Sequence, residues 1–207
     1  MRAGRSTGGR TTLDEQERRH GGTDEVGRLA EVASTVGALV DAVGPDQWEA
    51  PTPCPAWDVR RLVAHLTGLN RVFAALLTDQ PVPVRSRESE PDPAGGYHES
   101  TAALLAAFRE PGVLERTYPG PLGAATGAER LQIRQYDLLA HGWDLGQALG
   151  RSFRPAEDVA EQSLVFARAQ VRDESRPGRF AAPTRVAEDA PAIERLVAFL
   201  GRTVPGR

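Results

Sequence analysis

Three side chains in this 207-residue sequence have the types and spacing to share a divalent metal ion: His65, Asp137 and His141. Asp137 and His141 are four residues apart, which on an α-helix places them on one face, one turn apart. Asp144 extends that row by almost another turn, Ile133 and Ala148 continue it, and Leu138, Leu145 and Leu149 form an adjoining apolar stripe. His65 falls three residues after Leu62 and four before Leu69, at the border of a second stripe. A carboxylate and an imidazole on a core-compatible face need a partner, because unpaired polar groups are costly to bury. Two imidazoles and a carboxylate suit zinc, and also iron, nickel or manganese. Three protein ligands leave at least one position open, the mark of a reactive site. A thiol or water coordinated there loses its proton near neutral pH. The same spacing also fits a hydrogen-bonded core histidine and a helix-surface ion pair, so the pattern alone leaves those readings open.

The elements that must position these residues are helices. The first is expected from about Asp24 to Val43, with Leu29, Val32, Ala33, Val36, Leu39, Val40 and Val43 inward and Gly44-Pro45 as the stop. The second starts after Asp58, its N-cap, and ends near Thr78. Trp57 and Leu62 form a hydrophobic staple across its start. Its expected buried face is Val59, Leu62, Val63, Leu66, Leu69, Val72, Phe73, Leu76 and Leu77. Residues 79–95 read as a Pro-rich acidic loop. A third helix spans about Tyr97 to Arg109, with Leu104, Leu105 and Phe108 inward. Residues 113–127 are irregular with a short extended piece. The fourth helix runs from about Ala128 to Leu149 with Gly150 as its stop. A fifth covers about Pro155 to Val171 and a short last one Ala192 to Leu200. Residues 1–22 are rich in Gly, Arg, Thr and Ser and are expected to form a disordered tail, leaving 23–203 as one domain. Four longer amphipathic helices without a strand ladder indicate an all-α four-helix bundle with short additional C-terminal helices.

The bulk composition is that of an ordinary soluble chain, 40% hydrophobic and 26% charged with a net charge of -3. No concentrated basic surface calls for nucleic acid. No apolar run is long enough to span a bilayer, and no apolar h-region follows the N-terminal arginines. The one cysteine, Cys54, cannot form an internal disulfide, so a cytoplasmic location is expected. All 25 basic residues are arginine, a bias that points to a GC-rich genome of the actinobacterial kind.

Two segments carry a resemblance. Thr52-Pro53-Cys54-Pro55-Ala56-Trp57-Asp58-Val59-Arg60-Arg61-Leu62-Val63-Ala64-His65-Leu66 resembles a T-P-C-x-x-W-x-V-x-x-L-x-x-H-L opening, and Asp137 to Leu145 resembles D-x-x-x-H-G-W-D-L. Both are signatures of actinobacterial proteins related to the metal-binding domain of mycothiol-dependent maleylpyruvate isomerase, within the DinB-like four-helix-bundle superfamily. Residues 190–202 also resemble that family's ending, so the likeness covers about 24–203. It implies a DinB-like bundle holding a divalent metal, zinc by ligand chemistry, through His65, Asp137 and His141. The isomerase itself has Glu where Asp137 stands, one methylene longer. It also has a further C-terminal domain, so its own reaction is not carried over.

The resemblance implies a metal-dependent thiol S-transferase or isomerase-like enzyme, using mycothiol or a similar small-molecule thiol against an electrophilic substrate. A metal-dependent hydrolase, or a non-catalytic metal-stabilised binding or stress-response module, are the alternatives. Neither nucleic acid nor membrane is an expected partner; a homodimer is compatible with the fold. Trp57 and Trp143 read as core anchors. Asp144 reads either as an acceptor orienting a ligand imidazole or as a helix-to-helix hydrogen bond. Arg61, Arg71 and Arg134 are candidates to hold an anionic substrate, though most are expected to be solvated. His20 and His98 are assigned no role.

Overall fold

The structure, a computed structural model, describes residues 9–55, 57–83, 91–120 and 123–205, with side chains from Glu25 onward, Ser175 excepted. Its helices are α1 Gly9–Asp41, α2 Val59–Leu77, α3 Pro93–Phe108, α4 Gly127–Leu149, α5 Glu157–Gln170 and α6 Ala192–Phe199. A two-stranded antiparallel hairpin, β1 Thr117–Tyr118 and β2 Ala125–Thr126, leads into α4. The all-α, DinB-like bundle expected from the sequence is therefore the observed fold.

Boundaries differ at two places. Helix α1 begins at Gly9 rather than near Asp24. The stretch from Leu13 to Arg19 consists of residues with adequate to good helix propensity and no proline, and a composition that argues against burial does not argue against helix. Helix α3 begins at Pro93, where Asp92 caps the Gly95 N–H and a proline suits the first turn. Residues 1–8 of the expected tail and 84–90 of the expected loop lie outside the described residues.

Helices α1 to α4 pack in the cyclic order α1, α3, α2, α4, and α5 with α6 covers the outer side of α4. Leu29 and Val36 of α1, Leu62 and Leu66 of α2, Leu104 and Phe108 of α3, and Leu131, Leu138 and Leu145 of α4 meet in one core. Tyr97 Oη donates to Ala33 O at 2.9 Å and ties α3 to α1. Local signals fix the start of each site-bearing helix. Asp58 Oδ1 accepts from Arg61 N at 2.8 Å. Thr126 and Glu129 form a reciprocal capping box at α4, which ends at Gly150 with φ 63.

The buried face of α2 includes Val59, Leu62, Val63, Leu66, Phe73 and Leu77 of the nine residues expected there. Leu69, Val72 and Leu76 are only partly buried, while Thr67 and Asn70 are buried. Asn70 occupies a core slot because α4 presents a polar group to it, as described below.

Gly142 marks a close approach of α4 to α1 and to Phe153. A Cβ there would stand 2.6 Å from Phe153 Cζ and 2.9 Å from Val36 Cγ2. Gly142→Ala is expected to cost about 1–3 kcal/mol by overpacking. A thermal melt should fall by roughly 2–12 °C.

Candidate metal centre

His65 stands on α2 and Asp137 and His141 on the facing stretch of α4. The bundle brings one ligand atom from each within 4.8 Å of the others. Asp137 Oδ1 lies 3.5 Å from His65 Nε2 and 3.7 Å from His141 Nε2. Ligand atoms at about 2.0–2.2 Å around a tetrahedral zinc would stand about 3.3–3.6 Å apart, so the cluster is close to the size such an ion needs. The side chains of His65, Asp137 and His141 are 13%, 19% and 8% exposed, so the centre is sheltered yet not sealed.

Two of the three ligand candidates, His141 and Asp137, are each oriented by a second group. His141 Nδ1 is 2.9 Å from Asp144 Oδ2. That carboxylate also accepts from Arg202 Nη2 at 2.8 Å and Nε at 3.2 Å. With Nδ1 donating to Asp144, the Nε2 lone pair of His141 is directed at the shared point. The geometry has both readings left open for Asp144: it accepts from the His141 imidazole and from Arg202 in the segment after α6. Burial would raise the Asp144 pKa, but its hydrogen bonds to His141 and Arg202 outweigh that and hold it low.

Asp137 is held by Arg134. This arginine is 0% exposed and pairs Nη1 with Asp137 Oδ2. Its Nε donates to Asn70 Oδ1 at 2.9 Å and its Nη2 to Leu66 O at 3.1 Å. Arg134 is thus neither solvated nor a substrate arginine; it fixes Oδ2 and leaves Oδ1 toward the histidines. This is also why Asn70 is buried. Asn70 Nδ2 in turn donates to Ser100 Oγ at 3.2 Å and Thr101 Oγ1 at 3.0 Å on α3. Burial pushes Asp137 up, yet His141, His65 and Arg134 together hold it far below the usual carboxylate range. Burial lowers His65 from 6.5 more than its contact with Asp137 raises it, which favours the neutral, ligating imidazole.

Trp57 is half-buried and lies over the centre, its ring 4.4 Å from the His65 ring and 5.3 Å from the His141 ring. It therefore shields the imidazoles, whereas Trp143 is the core residue expected. The approach to α2 aims it: Thr52 Oγ1 donates to Trp57 O at 2.8 Å and Val59 N to Ala50 O at 3.0 Å. Arg61 is exposed and Arg71 lies beside Glu99 at 3.8 Å. His98 pairs with Asp41 at 2.7 Å, away from the centre.

The sequence reading missed Arg134 as the group holding Asp137, Asn70 as its buried partner, and Arg202. The Arg134–Asp137 spacing of three was a usable signal. Arg202 is 58 residues from Asp144 and left none. Asp144→Asn is expected to keep one metal per chain but weaken binding roughly 10–100-fold, measured by competition with a chelator.

The fold and the cluster define a class: an all-α bundle with a sheltered two-histidine, one-carboxylate centre between facing helices. The chain belongs to the mycothiol maleylpyruvate isomerase N-terminal domain family, whose model matches residues 29–146. It is similar to two uncharacterized proteins of Mycobacterium tuberculosis, from strains CDC 1551 / Oshkosh and ATCC 25618 / H37Rv. Each is 35% identical over 173 residues, covering 81% of this chain and 91% of the relative. No solved structure matches the chain. The family match spans His65, Asp137, His141 and Asp144 but ends before Arg202.

Proposed function

We propose that His65, Asp137 and His141 bind one divalent metal, zinc by ligand chemistry, and that the protein is a metal-dependent thiol S-transferase or thiol-dependent isomerase. The observation that carries the metal reading is the convergence of two imidazole Nε2 atoms on one carboxylate oxygen at 3.5 and 3.7 Å. With Nδ1–H of His141 donating to Asp144, a lone pair on its Nε2 would face the anionic oxygen of Asp137, an arrangement that a cation between them makes favourable. A divalent metal bound there would supply Lewis acidity and lower the pKa of a thiol placed against it.

The chain's own groups support that chemistry. Arg134 holds Asp137 to one free oxygen, so a fourth position stays available to a small molecule. Asp144 and Arg202 fix the tautomer and direction of His141. Trp57 covers the imidazoles and restricts water. Family membership brings mycothiol forward as the thiol, with an electrophilic small molecule as its target. One cysteine in the chain suits a cytoplasmic setting. Among the described residues no helix is long and apolar enough to cross a membrane.

The test is metal content of untagged protein followed by cobalt loading and titration with mycothiol. Near one metal per chain and a thiolate-to-cobalt charge-transfer band that grows with mycothiol is the expected result. Metal without any thiol response would turn the reading toward a hydrolase or a structural centre. No metal after incubation with zinc would remove it.

A further inference from the structure

The arginines around the metal centre are already committed. Arg134 is held by Asp137, Asn70 Oδ1 and Leu66 O, and Arg202 by Asp144 and Leu200 O. Arg130, one turn before Arg134, donates to Tyr118 O and Gly123 O, and Glu129 beside it compensates its charge. An anionic substrate would find no partner among these three. What adjoins the centre instead is hydrocarbon.

His65, Leu69, Val72 and Leu76 recur at intervals of four, three and four residues, which makes them one row along α2. His65 meets Asp137, so the row lies on the flank turned to α4. It runs about 16 Å from His65 to Leu76. The two helices are antiparallel here: Asp137 stands at His65, while Arg134, nearer the start of α4, reaches Leu66 O and Asn70. Ile133, one turn before Asp137, therefore falls level with Leu69. Leu69, Val72, Leu76 and Ile133 are all partly exposed, and Val72 stands outside the core cluster. The ion pair of Asp79 with Arg116 at 2.7 Å ties down the far end of α2.

Of the four seams between neighbouring bundle helices, the one between α2 and α4 is the loosest. Arg134 and Asn70 stand in it as a polar strut in place of interlocking aliphatic side chains. Single exposed apolar residues are ordinary. Four that adjoin one another and begin at a reactive centre have the composition of a ligand groove.

We propose that this row is the substrate subsite of the metal centre, and that the electrophile is an uncharged small molecule with a hydrocarbon body. Leu69, Val72 and Leu76 flank that body on one side and Ile133 on the other, with its reacting carbon toward His65. The proposal rests on the metal and thiol reading above and adds to it the class of the electrophile. Leu69 and Val72 are then specificity-determining residues.

The test uses the full chain loaded with cobalt, with the thiolate-to-cobalt band as the readout of binding. Ethanethiol, butanethiol and hexanethiol are the probes: the sulfur anchors at the metal and the tail reports on the row. 3-Mercaptopropanoate is the anionic control, since Arg61 is exposed one turn before His65 and would favour it if an anion were preferred. Each added methylene should tighten binding about two- to fourfold, so hexanethiol should exceed ethanethiol by at least about 16-fold. Val72→Asn should cut that ratio at least about fivefold while metal content and the thermal melt stay near wild type. Leu69→Ala should lower it in the same direction. Hexanamide, uncharged and without a thiol, should compete with hexanethiol at about 20 mM and leave ethanethiol in place. Equal affinity along the series overturns the proposal and leaves the metal reading intact. So does a chain-length gain that both variants leave unchanged, 3-mercaptopropanoate binding tighter than every alkanethiol, or hexanamide that displaces neither thiol. If cobalt does not bind, or ethanethiol does not bind the cobalt-loaded chain, the metal and thiol reading itself has failed, and the subsite falls with it.

Discussion

Alanine at His65, Asp137 or His141 is expected to abolish tight divalent-metal binding, with each affinity falling by more than about 100-fold. Removing an outer partner of a ligand costs about 10–100-fold, and losing a ligand itself must exceed that. Two readouts check it: metal per chain after dialysis, and the rise in melting temperature on adding zinc. If the proposed centre binds zinc, zinc at 100 times its Kd would stabilise the wild-type fold by about 2.7 kcal/mol, a shift the variants should lack. The metal-free variants carry a further signature. His65 and His141 both turn Nε2 toward the same oxygen of Asp137, and the burial of His65 offsets what its contact with Asp137 contributes. His65→Ala should therefore change metal-free stability by less than the 2–5 kcal/mol of a buried Leu→Ala. Binding should also be proton-linked, weakening as pH falls through the histidine range. Because burial lowers the His65 pKa below 6.5, the folded state takes up that proton less readily than the unfolded chain. The stability contribution of His65 is therefore present above pH 6.5 and is lost as pH falls below it. Metal binding that is unaffected by all three alanines would place the ion elsewhere.

The largest loss of stability is expected at Arg134. The residue is 0% exposed and satisfies three acceptors at once: Asp137 Oδ2, Asn70 Oδ1 and Leu66 O. Arg134→Met keeps much of the volume and removes every one of those bonds. It leaves an anion without its cation partner and two buried acceptors unmet, the costly way to break an ion pair. The expected loss is about 3–5 kcal/mol, or roughly 6–20 °C in the melt of a chain this long. A cycle with Asp137→Asn separates the pair from the packing. If the anion is the main source of the cost, the double variant should be more stable than the two single losses summed, by about 0.5–3 kcal/mol. Strict additivity would mean that Arg134 acts through packing alone. The same substitution frees Asp137 to turn, so metal affinity should fall even under conditions where the variant is folded.

How much of this could be read before folding follows the range of each interaction. The caps Asp58 and Thr126–Glu129, the stop at Gly150 and the pairing of Asp137 with His141 on one face depend on residues within a turn of each other. Helical periodicity alone determines them, and the sequence by itself established the helices, the bundle class and the three converging residues as candidates. It placed Leu69, Val72 and Leu76 on the inward face of α2 beside Val59, Leu62, Val63, Leu66, Phe73 and Leu77, because a hydrophobic stripe was the only guide; the latter six are buried and the first three only partly. It could not foresee that Arg134, on another helix, requires Asn70 in that face.

Tertiary structure decided everything that joins distant parts of the chain. His65 meets Asp137 only because α2 and α4 face each other in the bundle. Arg134 turns inward because Asn70, Leu66 and Asp137 together satisfy a charge that water would otherwise hold. Arg202 reaches Asp144 because the end of the chain folds back over α4. Trp57 covers two imidazoles because the hydrogen-bonded turn before α2 aims it there. The physical reason is the same in each case. A buried polar group takes its role from whichever partner satisfies it, and that partner is supplied by packing across many residues, which spacing along the chain does not encode.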